Sequence, residues 1–96
     1  MKNNKIDNLY KSILLLENIE EARNFFRDLL TEAEMTEFAN RWQAAQMLEQ
    51  KISYEEITKE TGLSSRTVAR ISKWLNSGTG GYKQIIEKNN HHKSSD

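Results

Sequence analysis

The chain has 96 residues, which is the size of one small domain. It contains no cysteine, which excludes disulfide frameworks and thiolate metal sites, and no proline and only four glycines, which favours helices. Its 14 basic and 14 acidic side chains give a formal net charge of zero. We therefore predict an all-α protein.

The charge is unevenly distributed. From Glu17 to Glu37, seven acidic side chains stand against two basic ones, a balance of minus five. From Ser64 to Lys93, six basic side chains stand against one acidic one, a balance of plus five. The distribution of charge, rather than its total, indicates where a polyanion would bind.

Two helices are predicted in the N-terminal part, residues 1–30. The first runs from about Ile6 to Leu16, and the second from Ile19 to Leu30 behind an Asn18 cap. The apolar stripe of each helix is wider than one buried face of a surface helix requires. We therefore expect these two helices to be buried on two sides or to contact another chain. The apolar run at 13–16 is too short for a signal peptide or a membrane span, and we expect a cytoplasmic protein.

A third helix begins at Thr31, because Thr31-Glu32-Ala33-Glu34 has the spacing of a capping box. Its apolar stripe continues to about Gln50. Arg41 lies beside this stripe, where an arginine usually extends its head into solvent. We assign residues 31–76 to a core segment made of this helix and the elements that follow it.

Residues 53–75 have the pattern of a helix-turn-helix. Ser53 and Glu56 form a capping box for the first helix, and Gly62 ends that helix in a turn at 61–63. Ser64 or Ser65 caps the second helix. Four apolar positions are predicted to be buried at the crossing: Ile57, Leu63, Val68 and Ile71.

The exposed face of the second helix is basic and rich in hydroxyls, which suits phosphate and guanine contacts. With Tyr54 of the first helix, the predicted DNA-binding residues are Tyr54, Ser64, Ser65, Arg66, Thr67, Arg70 and Lys73. Thr61 departs from the pattern, because its position is more often apolar. The simpler alternative is an αα-hairpin with an ordinary solvated face.

The C-terminal segment, residues 77–96, starts with a glycine-rich joint at 78–81. We predict a short helix from Tyr82 to Lys88 with Tyr82, Ile85 and Ile86 turned inward, and a disordered tail at 89–96. The joint lacks the strand and the Lys-Ser/Thr pair of a phosphate loop. His91 and His92 are adjacent and do not share a helix face, so we expect no metal site, and we expect no cofactor.

No catalytic constellation is present, because the carboxylates are scattered along helix surfaces and no histidine pairs with a nucleophile. We therefore expect no enzyme activity.

From Leu30 to Leu75 the order of elements resembles the Trp repressor family. The match covers Leu30-Thr31-Glu32-Ala33-Glu34, Arg41 and the helix-turn-helix. The run from Lys73 to Tyr82 is closer still to the Trp-repressor-like YerC/YecD family of low-GC Gram-positive bacteria. The resemblance implies an intertwined helical homodimer with one helix-turn-helix in each subunit, binding a palindromic site in double-stranded DNA.

The resemblance also implies a pocket for a small effector. In the Trp repressor, tryptophan lies between two arginines near a threonine and a serine; Arg41, Arg70 and Thr31 match the first three, and Trp74 occupies the serine position. Ile71 replaces a glycine beside the second arginine, and the connection from Arg41 to Ser53 is one residue shorter. Trp74 and Ile71 thus place large side chains where the family has small ones at the pocket wall. For this reason we expect that free tryptophan does not bind.

Two hypotheses of function follow. The first is a sequence-specific DNA-binding transcriptional regulator, a repressor in the family's manner, that does not require tryptophan. The second is a helical adaptor that binds a protein of the transcription machinery, since duplex DNA would repel the acidic stretch from Glu17 to Glu37.

Overall fold

The computed structural model describes residues 4–94. This part of the chain forms six α-helices and no strand, which confirms the all-α prediction: α1 Asn4–Ile13, α2 Ile19–Leu29, α3 Glu32–Glu49, α4 Tyr54–Thr61, α5 Ser65–Ser77 and α6 Gly81–Ser94. None of the described helices is long and apolar enough to cross a membrane. The chain divides into two units inside α3, between Met35 and Thr36, whereas the predicted segment boundary lies before this helix, at Leu30.

The N-terminal unit has little core of its own. Neither α1 nor α2 contains a buried residue, although the rings of Phe25 and Phe26 meet edge to face with centroids 5.5 Å apart. Leu14 is 82% exposed and Leu15 is 77% exposed. The other large apolar side chains exposed in this unit are Ile6, Tyr10, Ile19, Leu29 and Met35.

Helix α1 is shorter than predicted at its C-terminal end. It stops at Ile13, because the chain tightens into i→i+3 bonds: the N–H groups of Leu15 and Leu16 donate to the carbonyls of Ser12 and Ile13 at 3.0 and 3.1 Å. Leu14 and Leu15 therefore lie in a turn. The Asn18 cap of α2 is confirmed, since its side chain accepts from the Glu21 N–H at 2.9 Å.

The core belongs to the second unit and is assembled from α3, α4, α5 and α6. Its apolar members are all buried: Ala44, Ala45, Met47, Ile57, Leu63, Val68, Ile71, Leu75 and Ile86. Ile57 and Val68 are fully buried, one in each helix of the predicted helix-turn-helix. The four apolar positions predicted to meet at the crossing all lie in this core, so the hydrophobic pattern of residues 53–75 was interpreted correctly.

Helix α3 ends in a two-bond cap. The Ile52 N–H donates to the Met47 carbonyl at 3.1 Å, and the Lys51 N–H donates to the Leu48 carbonyl at 3.0 Å. This is the Schellman arrangement, which requires a left-handed residue between the helix and the next segment. Lys51 has that conformation, with φ of 66°, and among the described residues it is the one non-glycine with positive φ.

Helix α6 is longer than predicted and contacts the core. Ile86 is buried, the Tyr82 ring stacks on Trp42 of α3 with centroids 6.4 Å apart, and Lys83 pairs with Glu49 at 3.5 Å. The predicted inward position of Ile85 is wrong, since that side chain is 50% exposed.

The prediction of disorder from residue 89 is also wrong for residues 89–94, which continue α6; residues 95–96 lie outside the described part. No proline or glycine follows Gly81 to stop the helix. Once its first turn is held by packing, each added residue extends the helix at little cost.

Candidate nucleic-acid interface

Helix α4 begins as the capping pattern predicts. The Ser53 hydroxyl accepts from the Glu56 N–H at 3.2 Å, and the Ser53 backbone is extended. Tyr54 is the first residue of α4 and is 42% exposed. Part of the Tyr54 side chain is therefore available at the surface for contact with a ligand.

The turn between α4 and α5 is built around Gly62 and Thr61. Gly62 has φ of 76°, a left-handed conformation that glycine adopts without strain, and its N–H donates to the Thr58 carbonyl at 2.8 Å. Thr61 is buried; its hydroxyl donates to the Ile57 carbonyl at 2.7 Å and accepts from the Leu63 N–H at 3.2 Å. The threonine therefore satisfies a buried backbone donor that an apolar residue would leave unpaired.

The cap of α5 is Ser64 and not Ser65. The Ser64 hydroxyl accepts from the Thr67 N–H at 3.2 Å, and it lies 3.1 Å from the Thr67 hydroxyl, to which it donates. Ser65 is the first residue of the helix and is exposed. Ser64 and Thr67 thus define the start of α5 as well as offering hydroxyls at its surface.

The basic side chains of α5 form one stripe. Since a residue turns about 100° around an α-helix, Arg66, Arg70 and Lys73 fall within an arc of about 60°. All three are exposed. The buried residues Val68, Ile71 and Leu75 lie on the opposite side. Helix α5 contains no acidic residue, so the stripe presents unopposed positive charge to a ligand.

The residues of the implied effector pocket have other partners. Thr31 caps α3: its hydroxyl accepts from the Glu34 N–H at 3.1 Å, and its own N–H donates to the Glu34 carboxylate at 2.9 Å. Arg41 donates through Nε to Glu37 at 3.0 Å. Arg70 is exposed on the α5 stripe. Thr31 belongs to the N-terminal unit, and Arg41 and Arg70 belong to the second unit.

Trp74 lies at the end of α5 and is 56% exposed. Its ring covers Gly78, where a Cβ atom would lie 2.9 Å from the ring carbon Cε3 and 2.4 Å from the Trp74 carbonyl oxygen. With Thr79, Gly81 and Tyr82 it lines a cleft of about 350 Å³. More than half of Trp74 is therefore exposed to solvent, while one part of its ring contacts the turn at Gly78.

A larger cavity lies within the N-terminal unit. Its volume is about 530 Å³, its floor is formed by Ala22, Phe26, Leu30 and Met35, and its rim is formed by Arg23, Arg27, Thr31 and Glu32. Met35 belongs to the exposed apolar surface of this unit, whereas Ala22, Phe26 and Leu30 are half-buried. The wide apolar stripes of residues 6–30 predict surplus apolar surface in this unit, but no sequence pattern indicates a cavity.

The model of the Trp repressor family, described as Trp repressor protein, matches residues 4–90. The chain belongs to the Trp repressor family. The resemblance stated from the sequence is thus confirmed, and the family match also includes the N-terminal helices. This family consists of transcription regulators rather than enzymes, and membership indicates a helical DNA-binding regulator.

Individual members agree with this assignment. The Bacillus subtilis protein YerC is 35% identical over 88 residues, which cover 92% of this chain and 85% of YerC. The solved structure of a TrpR-like protein from Eubacterium eligens has a TM-score of 0.88 at 32% identity, covering 93% of this chain and 92% of that one. A second solved structure, from Staphylococcus aureus, has a TM-score of 0.86 at 36% identity, with 93% and 89% of the two chains covered.

Proposed function

We propose that this Trp repressor family member is a transcriptional repressor that binds a palindromic DNA site as a homodimer. The observation that carries the proposal is the α5 stripe of Arg66, Arg70 and Lys73, exposed opposite the buried side of the same helix. In a helix-turn-helix the second helix enters the major groove, where arginine binds guanine through O6 and N7. The hydroxyls of Ser64, Ser65 and Thr67 stand at the N-terminal end of α5, the end that contacts bases in this motif.

A homodimer is supported by the apolar surface of the N-terminal unit, where α1 and α2 contain no buried residue. A symmetric pair of subunits presents two recognition helices, and their half-sites would lie about 34 Å apart along the duplex. A role on DNA would place the protein in the cytoplasm of bacteria such as those of its relatives.

We infer that tryptophan is not the corepressor. Arg41 is paired with Glu37 at 3.0 Å, and by the resemblance Trp74 replaces the small hydroxyl side chain that the Trp repressor has at this position. Both features make the residues of the implied pocket less able to bind free tryptophan. An effector of another chemical class is compatible with the same fold.

The direct experiment is selection of random duplex DNA on the purified protein without tryptophan, followed by sequencing of the enriched pool. We expect an inverted repeat. Enrichment that appears only after tryptophan is added would contradict the corepressor proposal, and absence of enrichment under both conditions would contradict sequence-specific binding.

The same duplex tests the recognition helix. Replacement of Arg66 by alanine is expected to weaken specific binding by about 1–3 kcal/mol, because the guanidinium contributes a base contact. Arg23→Ala, which removes the same side chain from the N-terminal unit, serves as the matched control. Operator affinity that is equal in the two variants would remove Arg66 from the set of base contacts.

The adaptor hypothesis remains the second candidate, because the acidic side chains Glu17, Glu20, Glu21, Glu32 and Glu34 are all exposed. It predicts a protein partner that binds equally well to the wild type and to the double variant R66A/R70A. Loss of partner capture in this variant would argue against the adaptor and for a shared basic surface.

A further inference from the structure

Lys51 occupies the position after a helix C-terminus at which glycine is the usual residue. It is the left-handed residue of the Schellman cap at the end of α3, with φ of 66°. Side chains with a Cβ atom are strained in this conformation, and glycine is the usual occupant. A lysine here lowers the stability of the turn relative to glycine, so its presence requires another explanation.

The side chain of Lys51 is not needed by the core. Lys51 is exposed, whereas the next residue, Ile52, packs against the core cluster. Its backbone makes the cap through its N–H, which glycine would provide equally well. The feature that glycine lacks is a long side chain ending in a positive charge.

The position of this charge is favourable for contact with DNA. Two residues, Ile52 and Ser53, separate Lys51 from Tyr54, the first residue of α4, and the three Cα–Cα steps between them span at most about 10 Å. In a helix-turn-helix bound to DNA, the first helix crosses the sugar-phosphate backbone while the second lies in the groove. A long lysine side chain at the entry to the first helix would therefore be close enough to contact a phosphate of bound DNA.

We propose that Lys51 is a phosphate contact that positions the helix-turn-helix on DNA, and that its strained backbone is retained for this contact. The inference rests on the proposed DNA-binding function and adds to the surface a residue that neither the capping pattern nor the basic stripe of α5 includes. Phosphate contacts set register and orientation without selecting a base.

Three substitutions at this position separate charge from strain. Lys51→Gly removes both, Lys51→Gln removes the charge and keeps the strain, and Lys51→Arg keeps both. Lys11→Gln, in α1 of the N-terminal unit, is the control for loss of one exposed lysine. Binding is measured by fluorescence anisotropy on a duplex carrying the selected site and on a scrambled duplex, between about 50 and 200 mM salt. Unfolding is measured in urea.

We expect K51G and K51Q to bind both duplexes roughly 25- to 100-fold more weakly than the wild type, since the proposed homodimer loses two phosphate contacts and each released counterion changes affinity by about 5- to 10-fold near 0.1 M salt. The slope of log affinity against log salt should fall by about 2 in both, about 1 for each subunit. K51R and K11Q should behave as the wild type. K51G should unfold at higher urea than K51Q, which would show that function and stability oppose one another here.

Wild-type affinity and salt slope in K51G and K51Q, together with weak binding by R66A, would overturn the inference and leave the proposed function intact. A wild-type protein that binds neither duplex would overturn both. A loss in K51Q that K51G does not share would assign the effect to the turn's conformation and would also reject a phosphate contact.

Discussion

Thr61 shows how one polar side chain can supply hydrogen bonds to the buried backbone groups of a turn. Its hydroxyl bridges the Ile57 carbonyl and the Leu63 N–H in the buried interior between α4 and α5. An apolar residue is usual at this position of the motif, yet in this chain the neighbouring backbone depends on the hydroxyl. A buried N–H group without an acceptor lowers the free energy of unfolding, because it has lost its hydrogen bonds to water.

We expect Thr61→Val to destabilise the fold by about 1–3 kcal/mol, because the shape is retained while the Leu63 N–H loses its acceptor. The measurement is the free energy of unfolding in urea. Thr58→Val provides a comparison, since the Thr58 hydroxyl donates to the Glu55 carbonyl in an exposed part of the same helix. A stability for T61V equal to that of T58V would mean that water replaces the bond.

At the scale of elements, the passage from α5 to α6 depends on Gly78. The glycine follows α5 directly, its N–H donates to the Trp74 carbonyl at 2.9 Å, and the indole ring lies over it. The following helix is held by the stack of Tyr82 on Trp42 and by buried Ile86. The position of α6 therefore depends on how closely the chain can pass beneath Trp74.

We expect Gly78→Ala to destabilise the second unit by about 1–3 kcal/mol, because the added Cβ would overlap the Trp74 carbonyl and ring and force a backbone shift. Gly81→Ala is the matched control: a Cβ there meets only the Thr79 hydroxyl, at 3.9 Å, and alanine favours a helix. Thermal unfolding of the two variants tests the difference. Equal melting temperatures would show that the turn adjusts without strain.

The elements could be predicted from sequence where their signals are local. Asn18, Thr31 and Ser53 each stand directly before a helix and bond within it, so their types and spacing sufficed. The extension of α6 to Ser94 was missed because it depends on packing of its first turns against α3 and α5, which composition does not record. The conformation of Lys51 was missed because a lysine gives no signal of a left-handed turn.

For the site, the faces of α5 followed from periodicity alone, because a buried stripe of Val68, Ile71 and Leu75 leaves the opposite side to Arg66 and Arg70. The hydrogen-bond partners of Arg41 and Thr31 could not be predicted from periodicity in this way. A carboxylate three or four residues along a helix is always a competitor for such groups, and here Glu37 and Glu34 take that role. The effector-pocket assignment by resemblance thus stays a prediction.

At the scale of the whole molecule, stability is distributed unequally along the chain. All residues of the core cluster lie in the second unit, from Ala44 to Ile86, whereas Leu14 and Leu15 of the first unit are almost fully exposed. Apolar surface of this kind usually marks a protein interface. The homodimer that we propose would supply the missing burial.

We expect Leu14→Glu to shift the protein from dimer to monomer, because a carboxylate would have to be buried at the interface, while the exposed site in a single chain tolerates it. Sedimentation velocity measures the change. The control is Asn8→Glu, which adds the same charge at an exposed polar position of α1. Equal sedimentation of the wild type and L14E as dimers would exclude Leu14 from the interface. A wild-type protein that sediments as a monomer, with a melting temperature independent of concentration, would contradict the proposed dimer.

The order of the two units along the chain has a consequence for biosynthesis. The ribosome releases residues 4–35 before the second unit, and neither α1 nor α2 contains a fully buried residue. Domains fold from the N-terminus during synthesis at about 5–20 residues per second. In the homodimer that we propose, however, the N-terminal unit would complete its burial only after contact with another chain. Nascent subunits would therefore expose leucines to chaperones and proteases until they meet a partner, and the cellular level of the regulator would depend on the rate of assembly as much as on the rate of synthesis.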